Sequence, residues 1–287
     1  RGYLIDYNNI TLVYEFSLNL RKFLNKKGIV AIKISPTIVR NIYDGNYNLL
    51  ENNPKYNEIF NGLVRIGYRH LGYNNYFESY KPRFDSVIEL SKDRINLFQN
   101  MSKNFRTKVR NAEASGVIIH KGTYNDIKTL YEQAKNKYPR NMKYFEELYN
   151  NFNDNVELYY AKIDLDKNLK KNQKDYLEIE KTANKNNEEI LSNQGNQKLL
   201  NKKIAADKAL NLAKVKLQKA IDLMAKYPEG LILAMVLVVK NKDTVTIMMD
   251  TFDKKYKSFN AKHLIIWKLM EKYASSGYRY FNLGGIT

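Results

Sequence analysis

Several short segments of the sequence carry side chains that could bind or react with a substrate. In residues 1–7, Arg-Gly-Tyr-Leu-Ile-Asp-Tyr, Asp6 comes just before a predicted helix. A carboxylate in that place can hold an amine or accept its proton. It can equally cap the helix or lie in its first turn, where negative charge is favourable. The residue type leaves both interpretations open.

A second candidate site lies in residues 138–145, Tyr-Pro-Arg-Asn-Met-Lys-Tyr-Phe. Arg140 and Tyr144 are four residues apart, so on a helix they would share one face. The forked guanidinium of arginine suits a phosphate or a carboxylate, and a phenol beside it suits a second oxygen. We therefore predict that Arg140 and Tyr144 bind an anionic group of the substrate.

Two further segments could lie close to a ligand. Gly284 and Gly285 follow an apolar, strand-like run, and paired glycines there let a ligand approach the backbone, although they also fit a plain turn. Residues 100–116 form a basic helical stretch that could face phosphate or only water. Its cationic residues before Gly116 are Lys103, Arg106, Lys108 and Arg110.

The composition excludes several kinds of chemistry. The 287 residues include no cysteine, which rules out thiolate nucleophiles, disulfides and cysteine-bound zinc. The three histidines (His70, His120 and His263) are far apart in sequence, and we expect neither a metal nor a cofactor. The sequence also lacks a glycine-rich phosphate loop, a dinucleotide motif, a nucleophile elbow and the turn by which acetyltransferases hold coenzyme A.

The formal net charge of +18 favours an anionic partner: nucleic acid, a phosphorylated substrate or an anionic membrane face. Part of this charge reflects the joint abundance of Lys, Asn, Ile and Tyr, which is typical of an A/T-rich coding sequence. No apolar run approaches the roughly 20 residues of a membrane span. The chain starts at Arg1 and stops at Thr287 just after a strand-like run, so we expect domain sequence to be missing at both ends.

The pattern of apolar residues and glycines predicts a first unit over residues 1–90 and a second over 91–287. The first unit is predicted to contain helices at 8–27 and 57–66, a buried strand at 29–35 after Gly28, and strands at 68–73 and 84–90. The second is predicted to contain helices at 93–115, 125–137, 141–152 and 260–276, and strands at 117–120, 156–163, 231–240, 245–249 and 278–283. The first helix, glycine and strand match the last ones in pattern and length, which indicates two copies of one α/β unit.

A helical arm is predicted at residues 164–226, inserted between two strands of the second unit. Positions spaced four and three apart are largely apolar over 165–190 and again over 199–224. Two such runs predict an antiparallel coiled-coil hairpin in which each helix, of about 28 residues, is roughly 40 Å long. The arm's lysines could be a solvated face or could contact a polyanion. They are densest at Lys170, Lys171 and Lys174, and at Lys198, Lys202 and Lys203.

The order and spacing of these segments resemble the Fem family of peptidoglycan aminoacyltransferases, in the branch that carries a coiled-coil arm. Residues 1–7 are similar to the family opening Arg/Lys-Gly-Pro-x-x-Asp-Tyr, and residues 29–36 to a strand that ends in Asp-Pro. The resemblance covers essentially the whole chain. It continues in the basic helix before Gly-Val at 103–117, the Arg140–Tyr144 pair, Trp267, and the strand ending in Gly-Gly at 281–285.

This resemblance implies an α/β (α+β) fold of two acetyltransferase-like (GNAT-type) domains, with the antiparallel coiled-coil arm inserted in the second. It implies a cytoplasmic enzyme that needs no cofactor. Such an enzyme moves an amino acid from aminoacyl-tRNA to an amine of the peptidoglycan stem peptide, and so builds interpeptide bridges. The acceptor would be lipid II or UDP-MurNAc-pentapeptide, and the enzyme could associate peripherally with the inner membrane face.

The resemblance also implies roles for residues. Asp6 resembles the acid near the acceptor peptide, and Arg140 and Tyr144 resemble the pair that binds the precursor phosphates. Gly284 and Gly285 would line the substrate site, and the arm lysines would contact tRNA. The lysine of the family's catalytic region would lie beyond Thr287.

The sequence departs from the family pattern at three places. Tyr3 replaces the family proline, Ser35 replaces the aspartate, and Met-Met-Asp-Thr at 248–251 stands where many members have an aromatic residue and glycines. The last departure leaves the acceptor contacts of that strand open. Two alternatives to a transferase also remain at this point: a non-catalytic tRNA- or RNA-binding protein that uses the basic arm, and an arm used only for protein assembly.

Overall fold

The computed structural model describes residues 2–73, 84–91, 93–137, 140–192 and 196–286. The chain divides into two units, one formed by residues 1–85 with 285–287 and the other by residues 86–284. The assignment of the two units to two acetyltransferase-like domains stays a prediction.

The first unit is built on two helices, and a glycine with positive φ follows each of them within three residues. Helix α1 (Ile10–Asn25) begins after Asn9, whose side chain accepts a hydrogen bond from the Leu12 N–H at 3.0 Å. It ends shortly before Gly28, which has a φ of +70°. Helix α2 (Tyr56–Ile66) ends at Gly67, with a φ of +102°. Both predicted helices are confirmed, with ends shifted by one or two residues.

The strand predicted at residues 29–35 is wrong. These residues form no regular secondary structure and most are exposed; Val30 is 99% exposed. A strand needs a neighbour for its backbone N–H and C=O groups. The described strands of this unit, β1 (Asn41–Tyr43) and β2 (Leu49–Asn52), pair with each other instead. Residues 68–73 also form no strand, so the predicted repeat holds for the helix and its glycine but not for the strand.

The second unit is built on a mixed six-stranded sheet in the order β3-β8-β7-β6-β5-β4. Strands β4 to β7 pair antiparallel in sequence order, and β8 lies parallel to β7. The strands are β3 (Phe84–Glu89), β4 (Val117–Lys121), β5 (Val156–Ile163), β6 (Ile232–Asn241), β7 (Thr244–Phe252) and β8 (Tyr280–Ile286). All the strands predicted for this unit are confirmed, as is the strand predicted at 84–90.

Seven helices are described in this unit. They are α3 (Arg94–Gln99), α4 (Lys103–Ala114), α5 (Ile127–Ala134), α6 (Met142–Phe152), α7 (Leu165–Ser192), α8 (Gln197–Lys226) and α9 (Ala261–Ser275). Helices α4 and α9 cover one face of the sheet, while α5 and α6 cover the other. Alternation along β5 separates the two cores, because successive side chains of a strand point to opposite faces. Leu158 packs with α5 and α6, and Tyr159 with α4 and α9. The helix predicted at 93–115 is the pair α3 and α4.

Helices α7 and α8 leave the sheet between β5 and β6 and pack against each other. Every predicted seam position in 165–190 and 199–224 is buried or half-buried, and Ala183, Ala213 and Ala220 are at most 5% exposed. The predicted register therefore coincides with the inner side of each helix. The predicted break at 192–196 falls largely on residues 193–195, which lie outside the described residues.

The arm is anchored where it joins the sheet. The Asn168 side chain is 4% exposed and donates to the Ser115 carbonyl at 2.8 Å, while the Asp164 N–H donates to the Gly116 carbonyl at 2.8 Å. Gly116 has a φ of +85°, and a Cβ there would lie 2.8 Å from the Asp164 carbonyl oxygen. Glycine is therefore required at this turn, both by its backbone conformation and by the close approach of the arm.

A carboxylate ties this sheet to α9. The Glu157 side chain, on β5, is 11% exposed and accepts hydrogen bonds from Lys272 at 2.8 Å, Tyr273 at 2.6 Å and Lys240 at 3.1 Å. Tyr159 also bonds to it, and Lys121 reaches it at 3.4 Å. Burial alone would raise the pKa of Glu157, but these donors hold it well below its usual range. Burial and the bond to Glu157 raise the pKa of Tyr273, so that tyrosine stays protonated.

The arm's root and its outer part should contribute differently to stability. We expect that replacing residues 173–216 with a short Gly-Ser linker leaves the unfolding midpoint of the protein nearly unchanged, because none of the described residues in this range belongs to the core clusters of the sheet. Deleting all of 164–226 should lower the midpoint, since Leu165, Asn168 and the core-packed residues Leu223 and Met224 are removed with it. Thermal unfolding followed by circular dichroism measures both. Loss of the cooperative transition in the shorter deletion would contradict this division.

Glu157→Gln should lower the free energy of unfolding by about 2–3 kcal/mol at pH 7. This is less than the ~3–5 kcal/mol for a fully buried pair, because Lys121 and Lys272 are partly exposed. Since the folded pKa is depressed, the stabilisation is complete above the unfolded value of 4.5 and is lost as the pH falls below it. Urea unfolding at pH 7 and pH 3.5 measures this.

The control for this prediction is Glu132→Gln, which removes the exposed partner of Lys135 on α5. That change should cost less than about 0.5 kcal/mol at either pH. Equal effects of the two substitutions would show that the Glu157 cluster is not a stabilising centre.

Candidate active site

Arg140 and Tyr144 meet at the start of helix α6. The helix begins after Asn141, whose side chain accepts a hydrogen bond from the Tyr144 N–H at 3.0 Å. Arg140 therefore precedes the helix, and the prediction that both residues lie on one helix face is wrong in that detail. They are nevertheless brought together, because the Arg140 guanidinium carbon lies 5.4 Å from the centre of the Tyr144 ring. Pro139, which stands between the helices predicted at 125–137 and 141–152, lies outside the described residues.

The pair lines a shallow, solvent-open depression of about 460 Å³. Its walls also include Asn141, Lys143 and Glu147, and Lys143 lies 3.7 Å from Glu147. An arginine stacked on a ring keeps its N–H groups at the edge of the guanidinium plane, where they can fork onto an oxyanion. The first backbone N–H groups of α6 add positive potential. This arrangement suits a phosphate or a carboxylate.

The site rests on the core beneath it. The Tyr144 ring packs edge-on against Phe145 with centres 5.8 Å apart, and Phe145 is fully buried beneath α6. Tyr144 itself is 37% exposed, so its phenol can reach a ligand while its ring is held.

The end of α5 is held by contacts that the sequence did not predict. Lys137 donates to the Asp250 carboxylate on β7 at 3.0 Å, and Lys262 of α9 pairs with its other oxygen. Burial would raise the pKa of Asp250, but Lys262 and Lys137 hold it below its usual value. Thr251 donates to Gln133 at 2.8 Å. Asp250 and Thr251, which depart from the family pattern, therefore hold the end of α5 against β7.

Asp6 lies in the first unit and is exposed. Its carboxylate accepts hydrogen bonds from the Asn8 backbone N–H at 2.9 Å and from the Asn8 side chain at 3.0 Å. These bonds lower its pKa, which makes Asp6 a weak base that is ionised at neutral pH. The N-cap of α1 is Asn9, so the interpretation of Asp6 as a helix cap is wrong. A catalytic role for Asp6 stays a prediction.

Gly284 and Gly285 lie within β8 and not after it, which corrects their predicted place. Gly284 has a φ of +92°, and its N–H donates to the Asn282 side chain at 2.7 Å. A Cβ at Gly284 would meet the Ile247 carbonyl oxygen at an ordinary 3.7 Å. The backbone conformation, and not lack of space, therefore calls for glycine there. Gly285 is exposed, and a substrate contact at either glycine stays a prediction.

The six lysines singled out on the arm fall into two groups. Lys171 pairs with Asp175 at 2.5 Å, Lys174 lies 3.9 Å from Glu178, and Lys203 is half-buried at a seam position. The other three are exposed and form no ion pair with any described residue: Lys170, Lys198 and Lys202. A polyanion on the arm would meet these three first.

The basic helix α4 packs against α9 and is only partly a solvated face. Arg106 and Lys108 are half-buried, and His263 of α9 lies 5.8 Å from Phe105 between ring centres. Burial, with Lys108 and Lys262 nearby, lowers the pKa of His263. Among the described residues, no cluster of His, Asp and Glu could hold a metal ion. None of the described helices has the length and hydropathy to cross a membrane.

Comparison with known proteins identifies the family. The model of the FemAB family matches residues 1–287. The chain belongs to the FemAB family. This confirms the resemblance found in the sequence.

Several relatives in this family match nearly the whole chain. Aminoacyltransferase FemA of Staphylococcus epidermidis is 22% identical over 295 residues, covering 100% of this chain and 70% of the relative. Lipid II:glycine glycyltransferase of Staphylococcus haemolyticus is 23% identical over 309 residues, covering 99% of this chain and 67% of the relative. The crystal structure of FemX is similar with a TM-score of 0.68 and 18% identity, covering 100% of this chain and 71% of that one. The mixed α/β fold is thus shared with FemX.

Proposed function

We propose that this protein is an aminoacyltransferase that joins an amino acid to an amine of the peptidoglycan stem peptide, and so builds interpeptide bridges. The observation that carries the proposal is the family match over all 287 residues, with relatives named as an aminoacyltransferase and as a lipid II:glycine glycyltransferase. By this reasoning the acceptor is lipid II or its nucleotide-linked precursor, UDP-MurNAc-pentapeptide.

The donor in this proposal is aminoacyl-tRNA, whose ester is already activated. The acceptor amine attacks the ester carbonyl carbon, an amide bond forms, and the ester bond to the tRNA ribose breaks. The amine loses a proton and the released ribose hydroxyl gains one. The enzyme's contribution is then mostly to align the two substrates and to neutralise phosphate charge. No cofactor is required for this balance.

Each candidate site residue has a role in this reaction. Arg140 forks onto a precursor phosphate and the Tyr144 hydroxyl donates to the same group. Asp6, ionised at neutral pH, holds the acceptor ammonium group rather than acting as a strong base. Gly284 and Gly285 allow the substrate to lie close to β8.

The arm is the second substrate contact in this proposal. Helices α7 and α8 form a coiled coil along which the tRNA backbone lies, held by Lys170, Lys198 and Lys202 and more weakly by the paired Lys171 and Lys174 and the seam residue Lys203. We place the enzyme in the cytoplasm, in peripheral contact with the inner membrane face when the acceptor is lipid-linked. The +18 charge also favours the alternative, a non-catalytic tRNA- or RNA-binding protein.

Arg140→Lys should weaken binding of UDP-MurNAc-pentapeptide about ten- to a hundredfold. The change corresponds to roughly 1.5–3 kcal/mol, the range for a hydrogen bond to a charged group, because lysine cannot reproduce the paired donors. Tyr144→Phe should cost less, since it removes one neutral hydrogen bond. Isothermal titration calorimetry measures both.

The matched control is Arg65→Lys, at an exposed arginine in the last turn of α2. It should leave both precursor affinity and the unfolding midpoint unchanged. A lowered midpoint together with unchanged precursor affinity in Arg140→Lys would show that Arg140 stabilises the fold and does not bind substrate.

Changing Lys170, Lys198 and Lys202 together to Glu should weaken tRNA binding at low salt at least tenfold and spare precursor binding. Because each phosphate neutralised by a lysine contributes about 0.7–0.9 to the slope of log K against log[salt], the slope should become shallower by about 2–3. The control changes Lys22, Lys26 and Lys33, all exposed in the first unit, to Glu. Equal weakening in the two triple variants would mean that net charge, and not the arm, governs tRNA binding.

A further inference from the structure

Strand β4 is the last strand of the six-stranded sheet, so one of its edges has no strand partner among the described residues. The hydrogen bonds to β5 show which backbone groups face that edge. The Gly116 carbonyl accepts from the Asp164 N–H at 2.8 Å, and the Gly122 N–H donates to the Leu158 carbonyl at 2.7 Å. Even-numbered residues from 116 to 122 therefore pair with β5, because bonding alternates along an antiparallel strand.

The odd-numbered residues Val117, Ile119 and Lys121 consequently direct their N–H and C=O groups away from β5. No described residue forms a hydrogen bond with these backbone groups. An edge of this kind is a ready template for another extended chain. The side chains of the same three residues lie on the α9 face, where Val117 and Ile119 join the core and Lys121 reaches Glu157.

A groove of about 560 Å³ opens beside this edge. Its floor is apolar and includes Val117, Ile119, Leu264 and Leu269, with Ile118 41% exposed next to it. Its charged lining consists of three lysines, Lys167, Lys268 and Lys272, and one acid, Glu113. A chain added to β4 would therefore place alternate side chains over an apolar surface bordered by lysines.

The charges around the groove decide which partner fits. Lys268 is shared between Glu113 at 3.0 Å and Glu271 at 3.4 Å, and Lys272 is held by Glu157. Lys167, at the root of the arm, forms no ion pair with any described residue, and the Lys121 side chain is 62% exposed. Lys167 is thus available to a carboxylate at one end of the edge, and the exposed Lys121, which lies 3.4 Å from Glu157, can be shared with a second carboxylate at the other end.

We propose that the outer edge of β4 and this groove bind an extended peptide segment of a partner protein as a seventh strand. Its groove-facing side chains are apolar in the middle, over Val117 and Ile119, and acidic at the ends, near Lys121 and Lys167. This inference is independent of aminoacyl transfer. A second copy of this chain fits less well, because edge-to-edge pairing would bring the lysines of both copies together.

The experiment uses the whole chain and a fluorescein-labelled peptide, Glu-Thr-Val-Thr-Val-Thr-Glu, followed by fluorescence anisotropy. Hydrogen–deuterium exchange on the same complex should show new protection confined to residues 117–121. Two control peptides have the same length. The first has lysine in place of glutamate at both ends. The second carries N-methyl groups on alternate residues, which removes the backbone N–H donors that would face β4. Each should bind at least tenfold more weakly.

The protein variant is Lys167→Glu, which should weaken acidic-peptide binding at least tenfold. Fold stability should be preserved, because the Lys167 N–H already bonds to the Asp164 side chain and a glutamate at this position suits a helix start. The control is Lys128→Glu, an exposed position on α5 on the opposite face of the sheet, which should bind the peptide like the original protein.

Three outcomes would overturn the proposal. The first is no saturable binding of the acidic peptide, and the second is equal affinity for the N-methylated peptide, which would show that backbone pairing is not involved. The third is a concentration-dependent dimer in sedimentation experiments that protects residues 117–121 without any peptide, since the edge would then belong to a second copy. The proposal is supported if the acidic peptide binds saturably, protects residues 117–121, and binds more weakly to Lys167→Glu but not to Lys128→Glu.

Discussion

The carboxylate of Glu157 is the contact on which the architecture of the second unit depends. Its side chain joins three neighbouring strands to α9, through Lys121 on β4, Lys240 on β6, and Lys272 and Tyr273 on the helix. A buried charge of this kind is tolerated only because every lone pair finds a donor. The cost of desolvating it is offset by a set of cationic and phenolic donors that no single helix or strand could supply.

Strand β5, which carries Glu157, also connects the two candidate substrate contacts. Helix α6, with Tyr144 in its first turn, leads into the beginning of β5, and the arm leaves from its end at Ile163. Fixing β5 within the sheet therefore fixes both the anion site and the root of the arm. The arm's root is locked in turn by Asn168 and Gly116, so the direction in which α7 leaves the sheet is set by the core and not by the arm itself.

Lysine is abundant throughout the chain, but the individual lysines differ in their partners. Some neutralise buried carboxylates, as Lys272 does at Glu157 and Lys262 at Asp250. Others, such as Lys170 on the arm and Lys167 at the groove, have no acidic partner among the described residues. Net charge alone therefore does not locate an anion-binding site. The lysines without an acidic partner among the described residues are the better candidates.

Much of this could be predicted from the sequence. Apolar spacing predicted both helices of the arm and their seam, because that pattern reflects local helical geometry. The glycines that follow α1 and α2 could be predicted in the same way, since positive φ is a local requirement. Strand 29–35 was predicted wrongly, because an apolar run does not reveal whether a partner strand exists for it.

The sequence could not reveal long-range polar pairing. Glu157 and Lys272 are 115 residues apart, and Asp250 and Lys137 are 113 apart, so no spacing rule connects them. The Arg140–Tyr144 pair was found from its four-residue spacing, although Arg140 proved to precede the helix. The two side chains are still in contact, because the Arg140 guanidinium lies over the Tyr144 ring.

The most direct test of the proposed reaction follows a labelled amino acid from charged tRNA to lipid II. The assay uses a pool of tRNAs charged with labelled amino acids and two acceptors, one with a free stem-peptide amine and one with that amine acetylated. The account predicts that label appears only in the acceptor with the free amine, with release of uncharged tRNA. Binding of both substrates without any transfer of label would contradict it, and would favour a non-catalytic RNA-binding protein.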